Sequence, residues 1–188
     1  MLKLKHGYGL FNSVADREKF LREEMTGILG TSLVNMMIDD GFCIAPASTI
    51  YHGNYEGGLF DHSYNVAYCL ARMTDKLDLK WCKEDSPIRI GILHDLCKID
   101  AYTKVLDADG FHYEHRRDPI VKGHGEKSVI YALMYDCHLT EEEVACMLYH
   151  MGAYEKDRWD AYDNAIHRYP NVLFTHTADM EASKLMEA

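Results

Sequence analysis

Eleven histidines in 188 residues are the unusual feature of this chain. Several fall on faces that are otherwise apolar. His62 follows the helical spacing of Val66, Leu70 and Met73. His94 and Asp95 are adjacent in the apolar stretch Gly91-Ile92-Leu93-His94-Asp95-Leu96-Cys97-Lys98, and Asp95 shares a face with Ile88 and Ile92. His124 precedes a helix and is framed by Gly123 and Gly125. His150 closes another helix, and Asp179 lies on a face with Val172, His176 and Ala182. Burying an imidazole or a carboxylate without a partner costs several kcal/mol, so such groups are paired or bind metal. A single histidine of this kind is more often a hydrogen-bonded core residue. Separate helices that each bring one or two such groups inward are accounted for together by one metal centre, and the His94-Asp95 doublet is the hardest to explain otherwise.

The elements that must position these groups read as helices. Asp16 to Leu29 and Thr31 to Asp40 form two, the second ended by Gly41. Residues 42–58, with Pro46, Gly53, Gly57 and Gly58, form a long connection, and loops of that length are commonly functional. It leads into a helix from Leu59 to Leu77 that carries His62. Ser86-Pro87 reads as an N-cap followed by proline at the first helical position, opening the helix that carries the doublet. Val105-Leu106 and Phe111-His112-Tyr113 flank Asp107-Ala108-Asp109-Gly110, which predicts a small β-hairpin within 103–115. Gly125 to Cys137 is helical again. Thr140-Glu141-Glu142-Glu143 is a capping box for a helix to Met151, and Asn171 to Met186 forms the last. The expected fold is all-α with one hairpin insertion, divided into an N-terminal helical extension, 1–44, and a main domain, 45–188.

Composition narrows the classes of function. The chain is 47% apolar and 27% charged, with four prolines, which is ordinary for a globular protein. Its net charge of −10 lacks the basic footprint of a polynucleotide binder, so no long nucleic acid is expected as a partner. Small anions stay open, because bound cations and a few lysines can reverse the field inside one pocket. No apolar run is long enough to span a bilayer, and the N-terminus turns polar too soon for a signal peptide. Six cysteines without a Cys-x-x-Cys motif fit a reduced, cytoplasmic protein that uses them as small hydrophobes.

The ordered pattern of His62 in Gly-Gly-Leu-Phe-Asp-His, then His94-Asp95, then Asp179 resembles the HD-domain superfamily of metal-dependent phosphohydrolases. The extension His-Asp-Leu-Cys-Lys, ending at Lys98, fits the same family. His124 in Gly-His-Gly-Glu-Lys-Ser and His150 in Tyr-His-Met-Gly are similar to stretches of its binuclear, exoribonuclease-type bacterial members. The resemblance covers roughly residues 45–186 and implies an HD-domain helical bundle. It implies that His62, His94, Asp95 and Asp179 hold one divalent metal, and that Asp95, His124 and His150 hold a second. Nitrogen and oxygen donors suit Mn, Fe, Ni, Co, Zn or Mg. Related domains usually carry a second histidine where this chain has Met151, so weaker binding is expected at the second position.

Lys98 is expected to contact the phosphate, with Asp95 as its catalytic companion on the metals. His52, Lys122 and Lys127 are expected to bind substrate. His176 is read as a core residue or a neighbour of the ligands. The implied activity is hydrolysis of a nucleotide, short oligonucleotide or other small phosphorylated substrate, since the first 45 residues are too few for an OB-fold that would feed RNA to the site. Two other readings share the scaffold. A di-iron oxygenase of the myo-inositol oxygenase kind uses four histidines and two aspartates, and a non-catalytic module would use the fold to sense a nucleotide.

Overall fold

Ser13 opens the first helix by accepting the Asp16 N–H, a cap that satisfies one of the unpaired donors of a helix start. This computed structural model describes residues 2–6, 10–108, 110–117, 121, 123–154 and 159–186. Helix α1 (Val14–Phe20) continues through a wider turn, Leu21–Met25, into α2 (Thr26–Leu29). Gly30, at φ 94, breaks the run before α3 (Thr31–Asp39). A long connection then leads to α4 (Gly58–Leu77).

Helix α5 (Ser86–Leu93) departs from the sequence reading at both ends. Asp85, not Ser86, is its cap residue, and proline follows at the second helical position. The Ser86 hydroxyl is drawn away to Glu143, at 3.0 Å. The helix also stops at Leu93, one residue short of the His94-Asp95 doublet, and a short 3-10 segment, Leu96–Asp100, follows. The hairpin forms as predicted from β1 (Tyr102–Asp107) and β2 (Gly110–His115), with Leu106 opposite Phe111. Helix α6 (Gly125–Met134) ends earlier than expected, where Asp136 takes a left-handed φ of 62. Helix α7 (Glu141–Tyr149) has the reciprocal Thr140–Glu143 capping box.

Helix α8 (Trp159–Arg168) was not anticipated. Of its residues only Tyr162 is buried, and its polar composition masks the helical spacing of Trp159, Tyr162 and Ile166. Helix α9 (Asn171–Glu181) runs on into a wider turn, Ala182–Met186. The described chain is therefore all-α with one small antiparallel hairpin.

One core joins these elements. Leu21, Met25, Leu33 and Met37 from the N-terminal helices share it with Phe60 and Leu70 of α4, Ile88 and Ile92 of α5, and Cys146 and Met147 of α7. Fully burying side chains of this size contributes about 1.5–3 kcal/mol each. Helices α4 and α5 touch backbone to backbone at Gly91, where a Cβ would lie 2.3 Å from the Ala67 Cα. Only glycine permits that approach, and it sets His62 and His94 side by side. Arg89 crosses the core to Glu143 at 2.7 Å and ties α5 to α7. Arg17 grips Asp61, at 3.0 and 2.9 Å, and fixes the start of α4 against α1. All six cysteines are free, and only Cys82 is exposed. Among the described residues no helix is long and apolar enough to cross a membrane.

Candidate metal centre

Six residues from five parts of the chain meet in the core. His62 Nε2 lies 3.2 Å from His94 Nε2, 3.2 Å from Asp179 Oδ1 and 3.5 Å from Asp95 Oδ2. Asp95 Oδ1 lies 2.7 Å from His124 Nε2 and 3.6 Å from His150 Nε2. Asp95 is thus the shared member of two groups, one with His62, His94 and Asp179, the other with His124 and His150. His62, His94, Asp95 and His150 are buried, while Asp179 and His124 reach the surface of a cleft.

The break after Leu93 explains how adjacent residues serve one point. In a continuous helix neighbours diverge by about 100° around the axis. Here His94 caps α5 and Asp95 takes φ −106 and ψ 17, so both side chains turn to the same side. His124 and His150 also occupy helix ends, as the cap residues of α6 and α7. His62 and Asp179 come from the interiors of α4 and α9.

The tautomers of two histidines follow from their partners. His94 Nδ1 meets the Gly91 carbonyl at 2.8 Å, and His150 Nδ1 meets the Met147 carbonyl at 2.7 Å. A carbonyl only accepts, so each Nδ1 carries the proton and each neutral ring presents its Nε2 lone pair. Metal-ligating histidines are commonly held in this way. His150 Nε2 is buried and, among the described residues, has no hydrogen-bond partner. His94 Nε2, an acceptor, faces another ring nitrogen at 3.2 Å. Three overlapping groups, His62–His94–Asp179, His94–Asp95–His150 and Asp95–Cys97–His124, have ligand atoms within 4.8 Å of one another. The donor set fits divalent cations.

The electrostatics favour two carboxylates. Burial pushes the Asp95 carboxyl up, but the Lys98 ammonium and the His94 and His124 imidazoles outweigh it and hold it well below the usual carboxylate range. Asp179 is likewise raised by burial, but His62 together with the His94 and His150 rings outweighs this, with a net downward shift. Burial moves His94 toward its neutral form against the pull of Asp95. His124 goes the other way, because Asp95 and Cys97 together override its burial.

A cleft of about 560 Å³ opens onto the cluster. Asp95, Lys98, His124, Asp179, His52 and Met151 are among its lining. The His52 ring packs 4.7 Å from that of His62. Lys98 lines the cleft but does not project from a helical turn shared with His94. It sits on the 3-10 segment, and its Nζ lies 2.6 Å from Asp95 Oδ2. Lys127 is buried, paired with Asp100 and stacked over Tyr131, and it lines a second cavity together with Lys98 and His124. Lys122 lies outside the described residues. His176 Nδ1 donates to the His150 carbonyl at 2.7 Å, so it braces the end of α7.

Sequence reasoning missed Cys97, whose Sγ lies 3.5 Å from His124 Nδ1. Its place in the doublet's own segment was the available signal. Tyr51 and Tyr154, 71% and 66% exposed, were missed as well and stand on the cleft's lining.

No family model matches the chain, and no solved structure matches it. Over 83 residues, 42% of its length, the chain is 34% identical to a dihydroneopterin 2′,3′-cyclic phosphate phosphodiesterase of Methanocaldococcus jannaschii. The match spans 33% of that protein.

Proposed function

We propose that this chain is a metal-dependent phosphoric ester hydrolase of the HD type, acting on a small phosphorylated substrate. The observation that carries the reading is the convergence of His62, His94, Asp95, His124, His150 and Asp179, with His94 and His150 tautomers that aim lone pairs inward. His62, His94, Asp95 and Asp179 would hold one cation, and Asp95, His124 and His150 a second. Such ions supply Lewis acidity toward phosphoryl oxygens and lower the pKa of water. The similarity to a phosphodiesterase that acts on a cyclic phosphate supports the same class.

The chain's own residues define the rest. Lys98 is the cation on the cleft wall beside Asp95 and is suited to an anionic oxygen of the substrate. Its ammonium is held charged, because Asp95, with Tyr102 and Cys97 beside it, outweighs the effect of burial. His52 packs on His62 and keeps that ring in place from the cleft side. Tyr51, Tyr102 and Tyr154 offer apolar surface to the body of the ester. A cleft of this volume admits a molecule the size of a mononucleotide, not a folded polymer.

The test is a metal-reconstituted preparation assayed against nucleoside 2′,3′-cyclic phosphates, nucleoside monophosphates, cyclic dinucleotides and a generic aryl phosphodiester. Hydrolysis that is lost in Asp95→Asn is the expected result. Oxygen consumption with iron and no phosphoester turnover would point to an oxygenase on the same scaffold. Nucleotide binding without turnover would point to a sensor.

A further inference from the structure

The rings of His94 and His150 are held by one device. Each donates Nδ1–H to a carbonyl three residues earlier on its own helix, at 2.8 and 2.7 Å. His124 has no such option. It is the N-cap of α6, so every residue of that helix follows it and none of its carbonyls lies three residues earlier. Its Nδ1 faces the Cys97 sulfur at 3.5 Å, and its Nε2 faces Asp95 Oδ1 at 2.7 Å. Cys97 is tied to the same turn through its main chain. Its N–H donates to Ser128 Oγ at 3.0 Å, and the Ser128 hydroxyl donates to the His124 carbonyl at 3.4 Å. Cys97 and Ser128 are both buried.

We infer that Cys97 is the positioning residue of His124. Its sulfur takes the place of the helical carbonyl, accepts Nδ1–H, and holds Nε2 toward Asp95 and His150, where it would meet a cation. The inference rests on the metal-centre reading above and assigns a residue that sets affinity at the second position. His150 points to the same place independently, since its buried Nε2 has no hydrogen-bond partner among the described residues and lies 3.6 Å from Asp95 Oδ1. Sulfur is a weak acceptor compared with a carbonyl, so His124 is the least firmly oriented of the three rings. Partners of this outer kind typically change metal affinity by about 10–100-fold when removed. Asp95, Cys97 and His124 are also close enough for the sulfur to touch a cation directly, and the experiment separates the two roles.

Metal-free wild type, Cys97→Ser and Cys97→Val are titrated with cobalt(II), followed by calorimetry and by absorption. The wild type is expected to bind cobalt at a tighter and a weaker position, without a sulfur-to-cobalt charge-transfer band. Cys97→Val should weaken the second position alone, by about 10–100-fold. Cys97→Ser, whose hydroxyl also accepts from Nδ1–H, should recover most of that loss. Should Cys97→Val fail to fold, Cys97→Ala takes its place in the comparison. A charge-transfer band in the wild type that disappears in Cys97→Ser makes the sulfur a ligand and overturns the positioning role. Equal affinities in all variants overturn any role for Cys97. Failure of the wild type to bind cobalt sinks the metal-centre reading, and this inference with it.

Discussion

A Cβ on Gly125 would lie 2.4 Å from the Met147 carbonyl oxygen, the atom to which His150 donates at 2.7 Å. The first residue of α6 therefore rests on the very group that orients a histidine of α7. This contact brings the His124 and His150 rings to a centroid separation of 5.0 Å. Gly91 acts in a parallel way between α4 and α5, and its own carbonyl orients His94. The cluster is assembled at places where backbones touch.

Gly125→Ala is expected to push α6 off α7 and to cost about 1–3 kcal/mol of stability, the usual range for overpacking. Because the displaced carbonyl holds His150, binding at the second metal position should fall by more than binding at the first. Thermal melts combined with metal titration check this. A lowered melting temperature with both metal affinities unchanged would show that the contact serves packing alone.

Met151 follows His150 and lines the cleft beside His124. Its thioether is a poor donor to a hard cation. Met151→His should tighten the second position by about tenfold, equivalent to about 1.4 kcal/mol, and leave the first within error. Calorimetry with manganese or zinc reads the difference. If the new imidazole changes neither affinity, the side chain at 151 does not reach the second position.

Removing metal should destabilise the whole domain, since the cluster links α4, α5, α6, α7 and α9. A cation present at about 100 times its dissociation constant adds about 2.7 kcal/mol. For a chain of this size that corresponds to a rise of about 5–10 °C in Tm. A chelator should reverse it, and re-addition of metal should restore it. A melting temperature indifferent to chelator and metal would contradict a structural link between the five elements through bound cations.

What was legible in the sequence was the identity of the six converging side chains, because buried imidazoles and carboxylates contradict the apolar pattern around them. The path of the chain through them was less legible. His94 and Asp95 read as helix since Ile88, Ile92 and Leu96 keep the helical period, yet α5 ends at Leu93, and the hydrogen bond from His94 to Gly91 is part of that ending. Ser86 read as a cap because local chemistry allows it, but the tertiary pull of Glu143 claims its hydroxyl. Lys127 read as substrate-facing from its nearness to His124. Its ammonium pairs with Asp100, remote in sequence, while it shares a cavity wall with Lys98 and His124. Cys97 passed as a small hydrophobe since its role lies in one contact with a ring 27 residues away.

Lys98 gives the sharpest functional prediction. Its Nζ lies 2.6 Å from Asp95 Oδ2 and borders the cleft. In the metal-free protein it is the main counter-charge to a buried carboxylate. Removing one member of a buried ion pair typically costs about 3–5 kcal/mol. Metal-free Lys98→Ala should therefore melt well below the metal-free wild type. Added cations supply the missing positive charge, so the deficit should shrink in the metal-loaded proteins. Metal affinity should not fall, because the ammonium competes for the same oxygen. Turnover should still drop by about 100–1000-fold, equivalent to about 2.7–4 kcal/mol, the usual loss for one electrostatic donor to a transition state. Chemical denaturation with and without metal, and kcat/KM on the best phosphoester found, separate these effects. Wild-type turnover in Lys98→Ala would restrict the lysine to balancing Asp95. A loss of metal affinity would mean that it props the ligand cluster instead of facing the substrate.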